Sequence, residues 1–288
     1  MTSSSTTTQP GALMRFILWR EKHISERVFV LILAFIVGLA TAVAAFVLKE
    51  LVHTLQHFAT TAAQRNQYLY LVLPPVGIFA TAMIVRYVVR DDISHGVTKI
   101  LIALSQRKSR IKPHNMWSSV LSSAITIGMG GSVGAESPIV LTGAAIGSNL
   151  GRFFKMEQRN LMLLVGCGAA GAIAGIFKAP ITGLVFVIEV LLMDLTLVSI
   201  LLTTSVTSAS LAYILTGRQA MFSFMQSEDF ILDRIPYTLL LGILCGFVAL
   251  YFSRIMFFLE RRFKRIPKYV NRFLLSAVIL SVLIVLMP

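Results

Sequence analysis

Cysteine is almost missing from this chain: two residues in 288, Cys167 and Cys245, each inside an apolar stretch. Two cysteines placed this way support neither a disulfide framework nor a zinc site. Charge is scarce as well. Asp, Glu, Lys and Arg together make 14% of the chain, and 13 acidic residues stand against 26 basic ones. Between residues 130 and 190 there is no histidine and no aspartate. An intramembrane enzyme built on Ser137 or Glu136 would therefore lack a base partner, and the chain is expected not to be an enzyme.

Apolar residues fill the space that charge leaves. They make 56% of the chain, a composition of helical membrane proteins rather than soluble domains. The net charge of +13 raises the question of nucleic acid. The basic residues instead flank apolar segments, as membrane proteins place them on the cytoplasmic side, so no nucleic-acid partner is expected. The opening MTSSSTTTQPGA reads as a disordered tail over 1–14, with no small-residue cleavage site after it.

Apolar segments cover about 27–60, 68–90, 117–129, 138–154, 160–177, 179–193, 196–216, 235–260 and 271–288. A helical crossing takes about 20 residues. The segments 117–129, 138–154 and 179–193 are too short or are interrupted by Gly and Pro. Broken helices persist in a membrane only where protein or a wet cavity surrounds them, and in transporters they mark the binding site. If the basic clusters near 15–27, 86–90, 107–112 and 261–268 are all cytoplasmic, the N-terminus is inside. Segments 27–60 and 235–260 then run in opposite directions, as an inverted repeat beginning near 235 would require.

The stretch 130–138, GGSVGAESP, places a carboxylate in this apolar context. Its glycines disfavour continuing the preceding helix. Pro138 suits the first turn of a new helix starting at about 138, with Ser137 as N-cap. Free N–H groups near Glu136, Ser137 and Ile139 would attract an anion. Glu136 is itself an anion, so it can occupy the site its own helix makes and be replaced by a free ion. Intramembrane carboxylates are rare and usually mark pathways.

These residues resemble a known family. GAESPIVLTGAAIGSNLGRF is similar to the G-[KR]-E-G-P helix start of the CLC chloride channels and chloride/proton antiporters. FKAPITGLVFVIEV (177–190) is similar to that family's F-N-A-P-x-A-G-x-x-F-x-I-E segment, and ISHGVTKIL (93–101) falls where the family has G-S-G-I-P-E-I. The resemblance covers about 25–288. It implies that Glu136 is the gate of the outer anion site, with Gly134, Ala135, Ser137 and Ile139 around it. Ala135 replaces the usual Lys or Arg, and Ser137 the usual Gly. His95 falls at the serine that coordinates the inner anion, with Ser94 a candidate shifted by one residue and Gly96 retained. A neutral or protonated imidazole can donate N–H to an anion; a satisfied interfacial histidine at a helix start is the other reading of His95. Glu189 and Val190 fall on the family's acidic segment. Antiporters typically carry a second glutamate where Val190 stands, so the resemblance implies that the usual inner proton acceptor is missing. Glu189 is expected to pair with backbone or a neighbouring helix end. Lys178 either attracts anions or snorkels to the interface.

The expected fold is all-α and integral to the membrane, a CLC-type inverted repeat with broken intramembrane helices and a truncated second repeat. Residues 15–234 are expected to form the first membrane repeat and 235–288 the first two helices of the second. GCGAAGAIAG (166–175) has the small residues that let helices approach closely. The resemblance implies a homodimer, with 179–217 the candidate interface. The expected function is voltage- or proton-gated transport of chloride or another small anion, channel-like at the inner proton site, with a chloride/proton antiporter as the alternative. An intramembrane enzyme or a non-conducting membrane subunit stands further off. No cofactor or metal is called for. The expected location is a bacterial-type inner membrane, multi-pass, with a cytoplasmic N-terminus.

Overall fold

The computed structural model describes residues 22–65, 68–91, 96–191, 197–217, 232–266 and 269–286. The expected tail over 1–14, Ser94 and His95 lie outside the described residues. The chain divides into two compact units, residues 1–221 and 222–288.

The first unit holds α1 (Glu26–Arg65), α2 (Leu69–Ile84), α3 (Gly96–Gln106), α4 (Ser118–Gly128), α5 (Glu136–Phe153), α6 (Gln158–Phe177), α7 (Pro180–Val190) and α8 (Val198–Thr216). No strand occurs among the described residues. Among the described residues, five helices are long and apolar enough to cross a membrane, while α3, α4 and α7 are shorter apolar helices. Helix α3 starts at Gly96, next to the helix start that the resemblance implied beside His95; its apolar run, ILIAL, is too short to show a helix by pattern alone.

Helix α1 shows why this fold needs lipid. Its Val30, Leu33, Val37, Thr41, Ala45 and Leu48 form one buried stripe at helical spacing. The opposite face is equally apolar yet exposed: Leu31, Ile32, Phe35, Ile36, Val43 and Val47. A helix apolar all round belongs in a membrane or a large core. Its 40 residues reach about 60 Å at the α-helical rise, so it crosses the ~30 Å hydrocarbon layer at a tilt or projects beyond it.

Helix α6 is the centre of the unit. Residues Leu163 to Gly175 are buried throughout. Close approach comes from its small residues: Gly168 packs on the carbonyl of Gly143 in α5, and Gly143 on the carbonyl of Gly168. A Cβ on either would strike backbone, which cannot move aside cheaply. Hydroxyls bridge the neighbouring helices. Ser208 Oγ donates to the Gly171 carbonyl at 2.6 Å, and Thr204 Oγ1 to the Ala34 carbonyl at 3.1 Å. In an apolar medium such bonds help align helices that the hydrophobic effect alone does not orient.

The second unit contains α9 (Ile235–Lys264) and α10 (Tyr269–Leu286). Leu239, Leu241, Leu244, Phe247, Val248 and Tyr251 of α9 are exposed, and the helix ends on Arg261, Arg262 and Lys264.

Candidate functional site

The broken helices meet where the sequence places its carboxylate. Helix α4 stops at Gly128, and Gly130 adopts a left-handed φ of 91°. The turn closes on itself: the Gly131 N–H donates to the Thr126 carbonyl at 2.8 Å. The chain then enters α5 at Glu136 with Ala135 as N-cap. This start lies two residues before the expected one. Ser137 is therefore inside the first turn rather than at the cap, and Pro138 remains in the first turn, where its missing N–H is not needed.

The shift redistributes the donors. The Ile139 N–H donates to the Ala135 carbonyl at 3.2 Å, and Ile139 is fully buried. It belongs to the helix ladder and not to an open anion site. The N–H groups of Glu136 and Ser137 are the early orphan donors of α5. The Glu136 side chain folds back so that its Oε2 lies over Gly134. Among the described residues its carboxylate has no ion pair or hydrogen bond. It is exposed, at the positive end of a helix macrodipole.

The second helix start arrives beside it. Gly96, the first residue of α3, is buried against Ser137: a Cβ there would lie 2.6 Å from the Ser137 carbonyl and 2.8 Å from its Oγ. The first turns of α3 and α5 thus meet at Gly96 and Ser137.

Polar groups missed in the sequence reading lie close in the chain. Helix α4 buries Ser118, Ser119, Ser122 and Ser123. The Oγ atoms of Ser119 and Ser122 have no hydrogen-bond partner among the described residues. Spare buried hydroxyls can donate to a water or an ion. The spacing i, i+1, i+4, i+5 in SSVLSS was the available signal, since it places four hydroxyls on one helical face.

The remaining candidates sit elsewhere. Lys178 caps α6 with a left-handed φ of 55° and is 7% exposed. Its Nζ donates to the Gly217 carbonyl at 2.7 Å and lies 5.4 Å from the Tyr213 ring centre. A cation at the C-terminal end of α8 complements that helix's dipole. Glu189 is exposed near the end of α7 and has no hydrogen bond or ion pair among the described residues, unlike the pairing expected for it. Val190 is half-buried and packs against the hydrophobic core.

Residues 76–288 match the family described as "Voltage gated chloride channel". The chloride channel protein CLC-f of Arabidopsis thaliana is 29% identical over 150 residues, 50% of this chain and 19% of that protein. The H(+)/Cl(-) exchange transporter ClcA of Vibrio cholerae is 30% identical over 132 residues, 44% of this chain and 28% of that protein. A crystal structure of a slow cyanobacterial Cl-/H+ antiporter superposes with a TM-score of 0.77 at 24% identity, covering 88% of this chain and 63% of that one. That last similarity is one of fold. The matched part of the chain spans half or less of the curated relatives' length.

Proposed function

The chain belongs to the voltage gated chloride channel family, and on that footing we propose that it supplies the glutamate-gated wall of an anion pathway across a membrane. One observation carries the reading: Glu136 stands in the first turn of α5, without a partner among the described residues, beside the start of α3. The carboxylate occupies the positive end of its own helix and competes there with the transported anion. Protonating it, or swinging it aside, removes the competitor.

Conduction is channel-like at the inner end. Val190 carries no titratable group, so a proton leaving Glu136 has no acceptor there. A second reading, chloride/proton antiport by another proton route, draws support from the names of the Vibrio cholerae relative and the cyanobacterial structure. We read the chain as a transporter rather than an enzyme. The N-terminus is assigned to the cytoplasmic side of a bacterial-type inner membrane, from the basic clusters. A homodimer forms through α7 and α8, whose Ile181, Val185, Leu202 and Val206 are exposed.

The test is a chloride titration of the purified protein by calorimetry. Glu136→Gln keeps the shape and removes the charge. It should tighten chloride binding at neutral pH by roughly 2- to 30-fold, the value of a charge at a helix N-terminus. Identical affinity in the two proteins would sink the gate assignment.

A further inference from the structure

A second charged feature is independent of the transport reading. Between α3 and the segment leading to α4 lies a cavity of about 330 Å³, lined by Lys99, Arg107, Arg110, Lys112, Asn115 and Asp91 among others. Four cations face a single carboxylate among these lining residues. Asp91 meets Lys112 Nζ and His114 Nε2 at 3.1 Å each, with Lys99 Nζ at 3.9 Å. Arg107 and Arg110 have no carboxylate partner among the described residues.

The cavity wall is built rather than draped. The chain turns through Lys108 and Ser109, both left-handed, at φ 50° and 60°. Such backbone is uncommon outside glycine and needs support. Ser109 N–H donates to the Ala103 carbonyl at 2.8 Å. From α5, the buried Ser148 Oγ donates to the Ser109 carbonyl at 2.7 Å and accepts the Ile111 N–H at 3.0 Å. Asn149 Nδ2 reaches the Ile111 carbonyl at 3.3 Å. The turn that carries both arginines is thereby held in place before any ligand arrives, which lowers the ordering cost of binding. Met116 and Trp117, immediately beyond, are exposed. An exposed tryptophan beside a basic cluster marks the headgroup level of a membrane.

We propose that this cavity binds a phosphomonoester group. A phosphomonoester carries about −1.5 to −2 charges and three acceptor oxygens, which suits an excess of lysine and arginine better than a single halide does. Guanidinium groups grip such oxyanions bidentately. The cavity lies at the small end of the usual range for ligand sites, large enough for a headgroup. The group can arrive on a lipid headgroup or on a soluble phosphate.

Native mass spectrometry of the detergent-purified chain tests this. The probes are dioctanoyl phosphatidylinositol 4-phosphate, dioctanoyl phosphatidylglycerol (a phosphodiester) and inorganic phosphate. The inositol lipid should bind, and Arg107→Gln/Arg110→Gln should weaken it at least about tenfold, the loss expected for charged hydrogen bonds. The charge-matched Arg261→Gln/Arg262→Gln control on α9 should bind as the parent does. Lys112→Gln, with most of its side chain in solvent, provides a second variant should the double one fail to fold. Competition by millimolar inorganic phosphate supports the site with a soluble source; its absence supports the site with a lipid source. Equal binding of phosphatidylglycerol, equal loss in the control, or binding of neither the inositol lipid nor inorganic phosphate overturns the proposal.

Discussion

Gly96 and Ser137 touch across the junction of two helix starts, so closely that a Cβ on Gly96 would sit 2.6 Å from the Ser137 carbonyl. The atom it would meet is backbone, which cannot rotate away. Gly96→Ala should therefore separate α3 from α5 at the proposed anion site. Overpacking of this kind costs about 1–3 kcal/mol. Thermal unfolding in detergent measures it. Gly246→Ala on α9, where a Cβ meets nothing within 4 Å, should show no loss and serves as the control. Equal melting of the two variants would show that the junction is not tightly packed.

Gly134 poses the opposite case. A Cβ there would strike Glu136 Oε2, the far end of a flexible side chain. Gly134→Ala should leave stability nearly unchanged, within about 0.5 kcal/mol, yet displace the carboxylate from over the turn. If that carboxylate competes with the anion, chloride titration at neutral pH should show tighter binding than in the parent. Unchanged affinity in a stable variant would mean that this resting position of Glu136 is irrelevant to binding.

Lys178 separates two uses of a buried cation. Its ammonium donates to the Gly217 carbonyl at 2.7 Å and stands over Tyr213. Lys178→Met keeps the stem and removes both contacts. Losing a hydrogen bond to a charged group costs about 1.5–3 kcal/mol, and the melting temperature should fall accordingly. Chloride affinity should not change. A large drop in affinity with normal melting would return Lys178 to the anion site.

The physical reach of the sequence is visible in these residues. The buried run of α6 was legible because GCGAAGAIAG contains only small or apolar residues, and close helix approach needs small ones. The start of α5 was legible to within two residues, because glycines stop one helix and Pro138 admits another. Helix α3 was legible only at its start, through the resemblance at 93–101; its length was not, since the apolar run ILIAL is short. Glu189 was expected to find a partner, and the structure leaves it on the exposed face of α7 with Ile181 and Val185. The basic residues near 107–112 signalled orientation, but nothing in the pattern showed that they share a cavity. That fact depends on Ser148, 37 residues from Ile111 in the chain.

Val190 bears on coupling, and a chimera makes it testable. A stretch of this chain that includes Glu136 and Val190 can replace the corresponding part of the Vibrio cholerae exchanger, which is 30% identical over 132 residues. In liposomes with a pH-sensitive dye, a chloride gradient should then drive no uphill proton movement. Val190→Glu in the same chimera supplies a titratable group and should restore some. Strong proton pumping before that substitution would favour the antiporter reading and a different proton route.

Ser148 holds the basic turn through both of its hydrogen-bonding roles at once, as donor to Ser109 and acceptor from Ile111. Ser148→Ala leaves a carbonyl and an N–H unpaired next to a fully buried position of α5. Each unsatisfied group costs about 1–3 kcal/mol, but local opening can relieve part of that by admitting water. The variant should therefore lose less in global melting than the two groups together imply. Its loss should appear as faster hydrogen exchange at the Ile111 amide, with amides in the middle of α6 unchanged. If Ile111 exchanges at the parental rate, the turn is held by its own backbone bonds, and Ser148 is packing rather than a clamp.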